Sequence, residues 1–323
     1  MRSPHLAPVH DEADGREDAD DHDDRRDLDQ GEASKTCAPH ETKHDAPADV
    51  WQEARVTLSR VMPIVTDRVA GASPEKWLLF LHGILGSGAN WRTFAKQLVA
   101  EKPAWGAILA DLRLHGGSQG EFPLPHGVER AAEDLLGVSG VNAVLGHSFG
   151  GKVALAFAKQ RPNLEHVFVI DASPSARPGS THTGSTRHIV DLLTTLPHEL
   201  PDRNAFTAWV EERGVSRAVA MWLAMNLRPI PNTTRYAFRL DMPNVRAMVD
   251  DYFVTDLWSV LEDPSRTTAI HLVVGGKSDV VTESDRDRAA RCPRTTVDVI
   301  DDAGHWVHVD APDRLRAIVA SRI

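Results

Sequence analysis

The segment Gly146-His147-Ser148-Phe149-Gly150 follows directly on an apolar run at 141–145 and leads into a small-residue stretch at 151–158. That order predicts a buried strand, a tight turn and a helix, with a serine at the tip of the turn. A serine held there has a strained backbone, so the positions two before and two after it must be tiny. Gly146 and Gly150 meet that demand. The turn exposes the Ser148 hydroxyl as a candidate nucleophile. It also lets the backbone N–H of Phe149 face developing negative charge.

A nucleophilic serine needs a base and an acid, and the chain supplies candidates in order. Residues 296–305 alternate like a strand and then run through a short loop to His305. His305 is expected as the general base and later acid. It is preferred over the nearby His308 because it follows a strand and a glycine. Residues 271–279 read as a buried strand ending at Asp279, the first choice for the acid. Asp171 ends the preceding strand and is the second choice, with Asp241 a remote third. Ser148, Asp279 and His305 all lie just past strand C-termini, where open α/β sheets gather their sites.

Strands are expected at 55–65, 77–81, 106–111, 166–170, 269–274 and 296–300, besides the one before Ser148. Helices are expected at 90–100, 129–136 and 312–323. Their alternation implies a doubly wound, mostly parallel sheet. Residues 175–264 break it with helical patterns near 180–195, 202–213, 216–227 and 245–262. Asp202 can cap the second of these and Gly214 can stop it. The third is apolar on nearly all sides (Val219, Met221, Trp222, Leu223, Met225), so it must be covered or must line a cavity. The block is read as a helical lid, with Trp209, Trp222 and Met225 as candidate pocket residues. The core domain is then 51–174 plus 265–323.

Charge separates off a tail. The 323-residue chain carries a formal −10, and residues 1–50 hold fifteen of its 46 acidic side chains but only six of its 36 basic ones. With almost no large apolar residues, this tail is expected to be disordered. Its histidines match no metal-ligand spacing, and its acidic run lacks an EF-hand's Gly and terminal Glu. The remainder is nearly neutral and shows no clustered Lys/Arg footprint for nucleic acid. Two cysteines, one in the tail, argue against a disulfide framework. No apolar run is long enough for a transmembrane helix, and no secretory or organellar leader is evident. A soluble, intracellular, cytoplasmic protein is the expectation; oligomeric state is left open.

Four segments together resemble the small-esterase branch of the α/β-hydrolases, the group of YbfF-like esterases and ABHD11-like hydrolases. They are residues 81–87 (LHGILGS), 111–118 (DLRLHGGS), 146–152 (GHSFGGK) and 303–306 (AGHW). The order serine, aspartate, histidine is also that of the superfamily. The resemblance implies an α/β-hydrolase fold and cleavage of a small-molecule carboxylic ester or thioester through an acyl-serine, with no cofactor and no metal. It implies Ile84 as the second oxyanion donor beside Phe149. Arg113 and His115 are expected to brace loops, and His82 to tie down its own. In-class alternatives are acyl transfer to another acceptor and C–C bond hydrolysis. The out-of-class alternative is a non-catalytic ligand-binding protein.

Overall fold

A computed structural model describes residues 64–178 and 186–323. The acidic tail, residues 55–63 of the strand expected at 55–65 and the start of the helix expected from 180 lie outside the described residues.

The first elements are β1 (Thr66–Val69), β2 (Lys76–Leu81), α1 (Arg92–Glu101), β3 (Trp105–Ala110), α2 (Val128–Asp134), β4 (Val141–His147), α3 (Phe149–Gln160) and β5 (His166–Ile170). Next come α4 (Thr186–Thr194), α5 (Arg203–Glu211), α6 (Arg217–Leu223), β6 (Leu227–Pro229), β7 (Tyr236–Phe238), α7 (Met242–Val254) and α8 (Trp258–Glu262). The chain closes with β8 (Ala269–Gly275), α9 (Glu283–Ala290), β9 (Thr295–Ile300), α10 (Val307–Asp310) and α11 (Pro312–Ala320).

Among the described residues, seven strands form one sheet in the order β1-β3-β2-β4-β5-β8-β9. Only β1 runs antiparallel, against β3. The inner strands β2, β3, β4, β5 and β8 are largely apolar on both faces because both faces are covered. Leu79, Leu81, Val144, Val167 and Val169 pack into one core layer. The intervening Leu78, Phe80, Leu145, Phe168 and Ile170 pack into the other. A strand's two-residue period thus divides each hydrophobic run between two layers.

Ser148 follows β4 near the middle of the sheet, and α3 starts at the next residue. From Phe149 to Ala158 every residue of α3 is buried. Glycine and alanine let the helix approach closely: a Cβ on Gly151 would stand 2.7 Å from the Ala172 Cβ.

Among the described residues between β5 and β8 lie five α-helices and the antiparallel pair β6–β7. Asp202 caps α5 by accepting from the Ala205 N–H, as expected. The last expected helix, 245–262, is two helices, α7 and α8, separated at 255–257. The expected third helix stops earlier than 227, and Leu227 begins β6. Three-residue strands carry too little alternation to be read from sequence. The all-round covering expected for α6 is corrected in part. Val219, Ala220 and Leu223 are buried, but Met221 and Met225 are exposed. Among the described residues no helix is long and apolar enough to cross a membrane.

Candidate active site

The turn between β4 and α3 is as tight as the glycines suggest. Ser148 has φ +54°, a conformation that L-residues with a side chain rarely hold. A Cβ on Gly146 would lie 2.0 Å from the Gly150 carbonyl oxygen. One on Gly150 would lie 2.6 Å from the His82 carbonyl oxygen. Neither position admits another residue without moving the turn. The strain is held in place by neighbours: the Ser148 N–H donates to the Ile170 carbonyl.

The loop after β9 brings His305 to this serine. His305 Nε2 lies 3.1 Å from Ser148 Oγ, and its Nδ1 lies 2.7 Å from Asp171 Oδ2. A carboxylate on Nδ1 selects the tautomer with Nδ1–H, leaving the Nε2 lone pair to accept the serine proton. Asp171 is wholly buried just past β5, with φ +45°. Its Oδ1 accepts from the Gly275 N–H at 3.1 Å, and its Oδ2 accepts from the Ser278 hydroxyl at 2.6 Å. These bonds replace the water an ionised carboxylate loses on burial.

The first-choice acid is therefore corrected on placement. Asp279 is exposed, and its hydrogen bond to the protein runs from Arg177 to its backbone carbonyl. What the loop after β8 contributes to the His305 relay is the hydroxyl of Ser278, one residue earlier. β5 and β8 are neighbours in the sheet, so both aspartates follow adjacent strands. Asp171 comes directly after β5 and is buried, whereas Asp279 lies four residues past the end of β8 and is exposed. Asp241 is elsewhere, capping α7 through the Asn244 N–H.

Ile84 and Phe149, the two expected backbone donors, lie along the same cavity as Ser148. Among the described residues, neither the Ile84 nor the Phe149 N–H has a hydrogen-bond acceptor, and both residues line the cavity. Phe149 opens α3, so the positive end of that helix also points at the serine. The Ile84 loop is braced from three sides. His82 donates from Nδ1 to the Gly83 carbonyl and accepts the Leu112 N–H on Nε2. His115 accepts the Leu85 N–H, and Asn226 donates to the Leu85 carbonyl. Burial lowers the pKa of His82 to about 4, and burial with the neighbouring His82 lowers His115 to about 3. Both are neutral at pH 7, as their accepting nitrogens require. Arg113 is a brace too, its buried guanidinium forming two bonds to Asp134.

Three contributors had no prior reading. His147, inside the pentapeptide, donates to the His305 carbonyl at 2.8 Å and so helps fix the histidine loop. Its place beside the serine was the available signal. Ser278 and Asn226 act across long sequence separations and carried none.

Two cavities meet at Ser148. One, of about 400 Å³, runs past Phe149 and Lys152 toward Ser173, Arg177, Val249, Tyr252, Phe253 and Asp279. The other, of about 370 Å³, runs past His82, Trp91 and His308 toward Ala218, Val219 and Trp222. Of the three candidate pocket residues, Trp222 alone lines one of these two cavities. Trp209 is placed in neither: its ring packs under the Arg213 guanidinium, 3.9 Å away. Met225 is exposed on the turn after α6. His308 packs between the Trp91 and His147 rings, and burial lowers its pKa to about 4.

The sequence model of the alpha/beta hydrolase family matches residues 78–318. The chain is 28% identical over 280 residues to a mouse protein named sn-1-specific diacylglycerol lipase ABHD11, covering 81% of this chain and 85% of that one. It is 26% identical over 250 residues to esterase YbfF of Escherichia coli, covering 75% and 91%. Among solved structures, a marine microorganism esterase superposes with a TM-score of 0.69 at 22% identity, covering 81% of this chain and all of that one.

Proposed function

We propose that this chain, which belongs to the α/β-hydrolase family, hydrolyses carboxylic esters through an acyl-serine intermediate. The observation that carries this reading is the relay from Ser148 Oγ through His305 to Asp171, opening into a cavity that Ile84 and Phe149 also line. The names of the mouse and Escherichia coli relatives support the same class of reaction.

The geometry fits a two-step exchange. Ser148 Oγ attacks the ester carbonyl while its proton passes to His305 Nε2. The buried Asp171 carboxylate stabilises the imidazolium. The carbonyl oxygen, now an oxyanion, takes the N–H groups of Ile84 and Phe149. His305 then protonates the leaving alcohol, and a water activated by the same histidine cleaves the acyl-serine. In this reading residues 186–262 serve as a lid, because Ile189, Trp222, Val249, Tyr252 and Phe253 wall the two cavities.

The test is labelling with a fluorophosphonate followed by peptide mapping, alongside turnover on an ester panel. We expect a single labelled serine, Ser148. Ser148→Ala should abolish labelling and lower turnover at least about 10³-fold, since such residues act as a unit. A wild-type chain that neither labels nor turns over any ester would refute the reading and favour ligand binding without catalysis.

A further inference from the structure

Lys152 lies on α3, one helical turn beyond Ser148, and is buried. A buried ammonium ordinarily takes a carboxylate partner. Lys152 instead donates to three backbone carbonyls: Ser175 at 2.9 Å, Tyr252 at 2.7 Å and Thr255 at 2.6 Å. That uses all three of its N–H bonds. Its Nζ also stands 4.6 Å from the Tyr252 ring centroid.

The acceptors come from two separate segments. Ser175 belongs to the stretch after β5, and Tyr252 and Thr255 to the C-terminal end of α7. Both segments wall the cavity that starts at Ser148, through Ser173, Ser175 and Arg177 on one side and Val249, Tyr252 and Phe253 on the other. The Tyr252 ring also faces Phe149, at 6.1 Å between centroids. Capping the last carbonyls of α7 needs no buried charge, since water or an exposed side chain satisfies most helix ends. A charge placed here, on the nucleophile's own helix, sets the distance between the serine and the far wall.

We propose that Lys152 is a positioning residue that ties the far wall of this cavity to the nucleophile helix, and thereby sets how long an acyl group the site accepts. The proposal rests on Ser148 being the nucleophile. A two-carbon group is held at the serine and the amide donors. Every further methylene must pack against walls that Lys152 holds.

The charge state of Lys152 makes the effect visible. Burial lowers its pKa to about 8. Of the charged groups around it, Asp251 and Asp256 at the end of α7 and Asp285 on α9 oppose the shift, and Arg177 adds to it. Tyr252 stays protonated, its pKa raised by burial and by Asp171. Because the folded value lies below the ordinary one, the unfolded chain binds the extra proton between about pH 8 and 10.5. This group's contribution to stability therefore rises with pH across that window. Deprotonation removes one donor and the charge from the clamp without unfolding the chain.

The experiment compares the rates at which ethyl and octyl fluorophosphonates label Ser148, from pH 7 to 9.5, in wild type and Lys152→Met. In wild type the octyl-to-ethyl ratio should fall several-fold as pH rises through 8. In Lys152→Met it should start about tenfold lower at pH 7 and show no such step. A ratio that is the same in both proteins and flat with pH overturns the proposal while leaving the nucleophile intact. Failure of both probes to label Ser148 overturns the nucleophile reading and the proposal with it. Should Lys152→Met not fold, the wild-type ratio decides alone, and a flat profile overturns the proposal.

Discussion

Replacing Asp171 with asparagine tests the relay at its buried end. The carboxylate accepts three bonds, from the Gly275 N–H on Oδ1 and from His305 and the Ser278 hydroxyl on Oδ2. An amide has one accepting oxygen and one donating nitrogen, so two orientations compete. With the oxygen on Gly275, the NH₂ points at His305 and forces its Nδ1 to accept. The proton then sits on Nε2, where the serine proton has to go. With the oxygen on His305, the NH₂ faces the Gly275 N–H and leaves a buried donor unpaired, at about 1–3 kcal/mol. The first orientation is favoured, because the Ser278 hydroxyl can rotate to accept. The tautomer bias and the lost charge beside the imidazolium together predict a fall in kcat of about 10³- to 10⁴-fold. Folding should survive, since the substitution is isosteric. Steady-state hydrolysis of p-nitrophenyl butyrate by Asp171→Asn and Asp279→Asn, with circular dichroism on both, reads the outcome. Asp279→Asn should stay within about tenfold of wild type, because that side chain is exposed. The reverse ranking would refute the assignment of the acid to Asp171.

Gly146→Ala should destabilise the fold by about 1–3 kcal/mol and remove most turnover, because the new methyl meets the Gly150 carbonyl; a denaturant midpoint and activity equal to wild type would contradict this. A p-nitrophenyl ester series from two to sixteen carbons should peak at short-to-medium acyl chains. Each methylene gains up to about 0.8 kcal/mol until the 400 Å³ cavity is full, and a flat profile or a maximum at sixteen carbons would count against it. Acid should destabilise the chain through His82 and His115, whose folded pKa values lie below 6.5. The unfolded chain then binds more protons between about pH 4 and 6.5, so stability falls as pH drops through that window. The loss at pH 5 is about 2 kcal/mol for each of the two, and urea midpoints that match at pH 7 and pH 5 would exclude it.

The serine turn was legible because its constraints are local. A φ of +54° at Ser148 can exist only if Gly146 and Gly150 are small, and that demand is written within five residues. The alternation of strands and helices was legible for a related reason. Each buried parallel strand must be apolar throughout, so runs such as 78–81 and 166–170 stand out from the polar connections. His305 was found because it ends the last such strand's loop.

The acid was not decided at that level. Asp171 and Asp279 both follow strands, and those strands pair side by side, so pattern and order place them equally well. Their separation rests on the turn each residue occupies after its strand, which is a property of long-range contacts. Asp171 turns inward, with its amide on Val273 and its carboxylate on Gly275 and Ser278. Asp279 lies one residue past the serine that makes the inward contact. The pocket residues divided in the same way. An apolar pattern on α5 and α6 says that these helices bury something, and their packing alone determines what. Trp222 reaches a cavity, Trp209 packs under Arg213, and Met225 faces outward. Chain-local sterics and periodicity thus determined the fold and the serine turn. The direction of each side chain beyond them was settled only when segments more than a hundred residues apart, such as Asp171 and His305, came into contact.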